Sequence, residues 1–255
     1  MIRGMATFAE FFKVYQEDYI VIGGLATAMV MNDLGFISRA TKDIDLVVVS
    51  KNNEAFIKAL LRFIDQGRYK TKERTANHDR HNLFRFFDSP DLEYPEQIEL
   101  FAIHDKDSAI IQDATIIPID TPEFYPYLSA ILLNQDYFEL LIQHTNIIDG
   151  LHVATPSALI PLKIHAYNNL VSTRKSDAKK HLNDVIKLSA ALSGEEKVNL
   201  TGEPKADFDK FFPILEALDQ HQIEQVLKGA EIGALSKSDV IEILHQVYGS
   251  GGLNV

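Results

Sequence analysis

Tyr19-Ile20-Val21-Ile22-Gly23-Gly24-Leu25-Ala26, followed by Arg39-Ala40-Thr41-Lys42-Asp43-Ile44-Asp45-Leu46-Val47-Val48-Val49, are the stretches that decide how this chain folds. Tyr19 to Ile22 is a short, continuous apolar run, which predicts a buried strand. After the doubled glycine, Leu25 to Met31 has the residue types and length of a helix that ends near Gly35. Thr41 to Ser50 predicts a second strand, because it runs into the β-rich Val47-Val48-Val49. Side chains on a strand alternate between faces, so Asp43 and Asp45, two residues apart, share one face.

Upstream, Phe8, Phe11, Phe12, Val14 and Tyr15 recur at near-helical spacing and predict a short amphipathic helix ending near Glu17-Asp18. Downstream, Phe56, Ile57, Leu60, Leu61 and Ile64 form a helical stripe within Glu54 to Ile64, suited to covering one face of a sheet. Three further strands are predicted at Tyr69 to Thr75, His81 to Phe87 and Gln97 to Ala102, separated by polar or proline-bearing turns. In the last of these, Ile98, Leu100 and Ala102 face one way and Gln97, Glu99 and Phe101 the other, which leaves a carboxylate in mid-strand. From Asp105 to Asp149 the pattern is weak. Ile116 to Ile119 and Ile131 to Leu133 read as strands, and Tyr137 to Gln143 fits either a strand or a helix. At Thr155-Pro156-Ser157 the character changes: a capping threonine and a proline in the first turn introduce a helix through Leu170, with Pro161 able to kink it. Helices are also predicted over His181 to Leu192, Asp207 to Leu218, Ile223 to Lys228 and Lys237 to Tyr248, before a glycine-rich tail from Gly249. These patterns divide the chain into an α/β part over residues 1–150 and an all-helical part over 151–255.

With 255 residues, 46% of them hydrophobic, the chain can bury a core without disulfides, and it has no cysteine with which to make any. It therefore has no thiolate zinc site, and the expected compartment is the cytoplasm. A formal net charge of −11 argues against wrapping a polyanion over the whole surface, so any RNA contact must be local. No stretch approaches the roughly 20 apolar residues that span a bilayer, and no membrane partner is expected.

Moving a nucleoside monophosphate off a triphosphate needs neutralised phosphates, an in-line hydroxyl and a held pyrophosphate, most of which two Mg²⁺ ions supply. Magnesium prefers oxygen ligands and is usually held by a few carboxylates together with the phosphates. Asp43 and Asp45 could bridge such a pair, and a third carboxylate on a neighbouring strand could bind metal and take the hydroxyl proton. Glu99 is the candidate for that third acid. Gly23-Gly24 before a helix would let backbone N–H groups approach the phosphates. Singly, each element has a plain alternative: a tight turn for the glycines, solvated strand residues for the aspartates. Their order along the chain is what makes them informative.

In that order, Ile22-Gly23-Gly24-Leu25-Ala26 followed by Arg39-Ala40-Thr41-Lys42-Asp43-Ile44-Asp45-Leu46 resembles the signature of the polymerase-β-like nucleotidyltransferase superfamily, and within it the AbiEii-type toxins. Leu162-Lys163-Ile164-His165-Ala166 and Lys180-His181-Leu182-Asn183-Asp184-Val185 resemble that family's helical motifs. The resemblance implies an α/β (α+β) nucleotidyltransferase fold, a mixed sheet flanked by helices, followed by an all-α C-terminal domain, with the nucleotide between them. It implies metal binding by Asp43, Asp45 and Glu99, and two Mg²⁺ ions, with Mn²⁺ able to serve. It further implies nucleotide contacts from Gly23, Gly24, Arg39, Thr41 and Lys163, and a catalytic role for Lys163 and Asp184. The partners implied are an NTP, RNA (notably tRNA) as acceptor, and a cognate antitoxin. The chain departs from the family pattern at Gly24, often serine, at His181, often aspartate, and at Glu99, more commonly aspartate.

Alternatives remain open from the residues alone. Lys163 could be a solvated lysine on an amphipathic helix. Asp184 could be a surface partner of Lys180 or Lys187. His78, Arg80, His81 and Arg85 form a basic cluster that fits either a phosphate contact or a solvated turn. His165 has no second histidine at zinc spacing and reads as structural. Two other functions fit the same motifs: a small-molecule nucleotidyltransferase acting on an antibiotic hydroxyl, and a non-catalytic nucleotide-binding or antitoxin-like module.

Overall fold

Tyr19–Ile22 (β1) is buried along its whole length and pairs antiparallel with Asp43–Val48 (β2), in the register Tyr19↔Val48 through Ile22↔Asp45. The structure is a computed structural model that describes residues 3–50, 53–71, 85–102, 116–118, 129–233 and 235–249. Beside β2 lies Gln97–Ala102 (β5), parallel to it with Asp43↔Gln97 and Asp45↔Glu99. The other edge of β5 is shared. Arg85–Phe87 (β4) pairs antiparallel with its first half, and Ser129–Leu132 (β7) pairs parallel with its end. Lys70–Thr71 (β3) extends the sheet beyond β4, and Ile116–Pro118 (β6) pairs with β7. On the far side of β1 come Leu151–Ala154 (β9), parallel to it, and then Thr145–Ile148 (β8). The fold is α/β: a mixed sheet with flanking helices, then a helical region.

The chain forms two compact units: Met1–Leu25 with Ala40–Gln135 and Asn146–Val153, and Ala26–Arg39 with Asp136–Thr145 and Ala154–Val255. In the first unit, Met5–Phe12 (α1) and Glu54–Gln66 (α3) cover the sheet through aromatic packing. Phe8, Phe12 and Phe56 all lie against Tyr19, with ring centroids 5.7, 6.0 and 6.3 Å away. Tyr19 shares its face with Ile44, Leu46 and Val48, because residues paired across a ladder point the same way. Asp43, Asp45 and Glu99 therefore project from the opposite face. In the second unit, Pro156–Leu170 (α5) packs on Lys175–Leu188 (α6) and on Gly202–Glu216 (α7). Gln220–Lys228 (α8) lies on α6, and Lys237–Tyr248 (α9) on α8. Among the described residues no helix is long and apolar enough to cross a membrane.

Several sequence expectations shift. The first helix ends at Phe12, and a short 3₁₀ turn over Gln16–Asp18 leads into β1. No separate glycine turn remains, since Gly23–Asp33 (α2) begins directly after Ile22. Tyr137 resolves as helix within Gln135–Gln143 (α4). The hairpin β8–β9 was not anticipated, although Asp149-Gly150 at its tip, with φ of 51° and 77°, is the dipeptide that a type I′ turn favours. Thr155 precedes α5 as expected but makes no side-chain cap; its hydroxyl donates instead to the His144 carbonyl at 3.2 Å. His78, Arg80, His81, much of the two strands expected at Tyr69 to Thr75 and His81 to Phe87, and the tail beyond Gly249 lie outside the described residues.

Candidate active site

The parallel register of β2 and β5 brings the three sequence-selected acids together. Asp43 is exposed, Asp45 half-buried and Glu99 only 9% exposed, all on one sheet face with Asp45 directly opposite Glu99. Gly23 stands behind Asp45. Its φ is +71°, and a β-carbon there would lie 1.8 Å from Asp45 Oδ2 and 2.7 Å from Cγ. Only glycine lets the first turn of α2 lie against that carboxylate. Glu99 is engaged by Arg85, which sits opposite it in the register of β4 and forms an ion pair with Oε1. The guanidinium thus holds the third acid through Oε1 alone. Three carboxylates on one face are oxygen donors of the kind Mg²⁺ takes, although their oxygens do not all lie within 4.8 Å of one another. On the approach to β2, Thr41 is half-buried, while Lys42 pairs with Glu96 at 3.0 Å.

The helical motif residues converge within the second unit. Lys163 on α5 and Asp184 on α6, 3% and 1% exposed, form a buried ion pair with Nζ donating to Oδ2 at 2.8 Å. Arg39 approaches the same oxygen at 3.5 Å from the segment after α2. Asp184 is therefore no surface partner of Lys180, which pairs instead with Asp177 at 2.9 Å. Burial alone would raise the Asp184 pKa. The charges of Lys163 and Arg39 and their hydrogen bonds outweigh it and hold the carboxyl below its usual range. His181 joins the cluster. Desolvation first, and repulsion from Lys163 next, push its pKa down to about 4, so the ring is neutral at pH 7. Two cations, one carboxylate and a neutral imidazole leave a surplus positive charge, which suits an anion.

A second network ties three helices together. Asp207 on α7 accepts from the Tyr137 hydroxyl of α4 at 2.7 Å and from Asn168 Nδ2 of α5 at 2.9 Å, and it pairs with His165 Nδ1 at 2.6 Å. His165, Glu203 and Asp207 stand close enough to hold a metal, but the Asp207 oxygens already serve these partners. That accords with a structural role for His165. Sequence reasoning missed Arg85 as the partner of Glu99 and His181 as a half-buried neighbour of Lys163. Nothing local signals either, because each contact is set by strand register or helix packing.

A scan against protein-family models finds no match to this chain. A search of curated proteins finds none either. Among solved structures, an antigenic nucleotidyltransferase-like protein from Paracoccidioides brasiliensis is similar, with 14% identity over 90% of this chain and 96% of that one, at a TM-score of 0.45.

Proposed function

We propose that this chain is a Mg²⁺-dependent nucleotidyltransferase that moves a nucleoside monophosphate from an NTP to an acceptor hydroxyl and releases pyrophosphate. The observation that carries this is the set of three acids, Asp43, Asp45 and Glu99, on one face of two registered strands, with Gly23 left bare against Asp45. Bound by Asp43 and Asp45, Mg²⁺ would supply charge neutralisation on the phosphates. Glu99, with Arg85 on one of its two oxygens, would take the proton of the acceptor hydroxyl as the hydroxyl oxygen bonds to the α-phosphorus and the bond to the leaving pyrophosphate breaks. Gly23 and Gly24 would offer backbone N–H groups to the triphosphate, and Thr41 its hydroxyl. Lys163 and Arg39 would contribute positive charge to the phosphates, with Asp184 fixing the lysine.

The family resemblance carries the finer proposal: the acceptor is RNA, notably tRNA, and the chain is a toxin held in check in the cytoplasm by a cognate antitoxin. The net charge of −11 favours a second reading, a small-molecule acceptor such as an antibiotic hydroxyl. Incubation with each α-labelled NTP, Mg²⁺ and either total tRNA or a panel of aminoglycosides and lincosamides decides between them by which acceptor becomes labelled. Asp43→Asn with Asp45→Asn should abolish labelling, and full labelling by that variant would sink the proposal. Glu99→Gln should lower the transfer rate roughly 100-fold or more, as loss of a general base does; an undiminished rate removes Glu99 from the mechanism. Tight NTP binding without label on any acceptor would point to the non-catalytic module.

A further inference from the structure

Three nitrogen groups in the second unit have more hydrogen-bonding capacity than they use. Lys163 is 3% exposed, yet among the described residues its ammonium, with three N–H groups, makes one hydrogen bond, to Asp184 Oδ2 at 2.8 Å. Arg39, its side chain 38% exposed, reaches the same oxygen only at 3.5 Å. Among the described residues the buried Nδ1 of His181 has no hydrogen-bond partner. We propose that His181 couples this pocket to a proton: when a phosphate-type dianion draws Arg39 off Asp184, the His181 ring takes a proton from solvent and its Nδ1–H replaces Arg39 at the carboxylate. The proposal rests on the nucleotidyltransferase reading for the source of the dianion, a nucleoside triphosphate, and it makes His181 a positioning residue that keeps Asp184 in place behind Lys163.

Charge creates the need. Lys163 and Arg39 against Asp184, beside a neutral ring, leave one positive charge in the free cluster. A dianion would turn that into one negative charge, and one proton restores neutrality. Net charge held away from water is costly, so the proton is drawn in with the anion. In the free protein, burial and the charges of Lys163 and Arg39 keep the proton off the ring, outweighing the pull of Asp184 and Asp177. An anion beside the two cations cancels their repulsion.

Geometry gives the proton a place. His181 and Asp184 stand three residues apart on α6 and are therefore neighbours on one face. Helical side chains lean toward the helix N-terminus, which carries the Asp184 carboxylate back over the turn that holds His181. Lys163 and Arg39 both come to Oδ2, and among the described residues nothing donates to Oδ1. Asp177, four residues the other way, is exposed and already paired with Lys180. A neutral imidazole carries one N–H and an imidazolium two, so protonation makes Nδ1 a donor whichever tautomer it starts from.

The test uses the full chain and sulfate, an oxyanion whose two charges do not change over the pH range needed. Calorimetry at constant ionic strength should find sulfate bound roughly tenfold tighter at about pH 5 than at about pH 7.5, because binding that carries a proton strengthens as the pH falls. His181→Gln should match the wild type within about twofold at the higher pH, where both side chains are uncharged, and lose most of the gain at the lower one. In protein labelled with ¹⁵N-histidine, the ring signals absent from His181→Gln should titrate at higher pH with sulfate than without it. Arg39→Gln should lose sulfate at both pH values. Equal pH dependence in the wild type and His181→Gln overturns the coupling, and so does a loss at the higher pH as large as that at the lower, which would make the ring a packing element only. Sulfate held by Arg39→Gln as tightly as by the wild type, or bound by neither, overturns the pocket. Proton-coupled sulfate binding in a chain that labels no acceptor would overturn the nucleotidyltransferase reading alone, whereas acceptor labelling with uncoupled sulfate binding would overturn the role of His181 alone.

Discussion

Gly23 shows how one residue's backbone serves another's side chain. A φ of +71° costs an L-residue about 1–2 kcal/mol, and here the space a β-carbon needs is filled by the Asp45 carboxylate. The obstruction is the whole side chain of Asp45 and not its tip alone, with Cγ at 2.7 Å and Cβ at 3.0 Å, so Asp45 must swing aside to admit a methyl group. Gly23→Ala should therefore lower the unfolding free energy by roughly 1–3 kcal/mol and, separately, weaken Mn²⁺ binding measured by electron paramagnetic resonance. Unchanged Mn²⁺ affinity in the folded variant would disconnect Gly23 from the acids. The shared face of Asp43 and Asp45 was legible in the sequence because strand period alone sets it. The reason for Gly23 was not: a glycine before a helix looks the same whether it admits a phosphate or a carboxylate. Asp184 was ambiguous for a similar cause, since helical neighbours such as Lys180 are visible in sequence and a lysine on another helix is not.

At the scale of the element, Pro161 removes a donor from the interior of α5. The carbonyl that would accept from residue 161 is that of Ser157, four residues back, and proline also crowds it outward. Tyr248, at the end of α9 and 1% exposed, donates its hydroxyl to Ser157 O at 3.2 Å and lies 3.3 Å from Pro156 O. Tyr248→Phe should thus leave a buried carbonyl unsatisfied, at a cost of about 1–3 kcal/mol. In a Pro161→Ala background the helix regains an N–H for Ser157, and the same substitution should cost about 1 kcal/mol less. Denaturant unfolding of the four proteins measures that coupling, and strictly additive losses would refute the compensation. The sequence marked Pro161 as a place where α5 could be disturbed, and it placed α9 at Lys237–Tyr248, but the bond between them depends on packing over many residues. The β8–β9 hairpin failed to register for the opposite reason. Its turn signal, Asp149-Gly150, was local and strong, while the flanking strands are too short and too mixed in polarity to read as strands.

For the molecule as a whole, the change of character at Thr155-Pro156-Ser157 was legible because a proline at the first helical position and a following helical period reinforce each other. What composition could not show is that an acidic chain keeps a cluster of positive charge buried among its helices, or that this cluster should govern how stability responds to acid. In the unfolded chain His181 takes up its proton near pH 6.5, whereas in the folded protein it does so only at about 4. Between those values the unfolded state binds the extra proton, so stability should be full above pH 6.5 and decline as the pH falls through the window toward 4. Asp184 does not contribute there: its pKa is lowered from 3.8, so its share is lost only under still more acid conditions. His181→Gln removes the titrating ring and should flatten the decline. Since the chain has nine histidines, the informative quantity is the difference between the two proteins' pH dependences and not either one alone. Urea midpoints measured at about pH 7 and about pH 4.5 should converge, with the variant losing less on acidification than the wild type even if it starts from a lower value. Parallel losses would mean that His181 titrates normally and that Lys163 and Arg39 do not impose their charge on it.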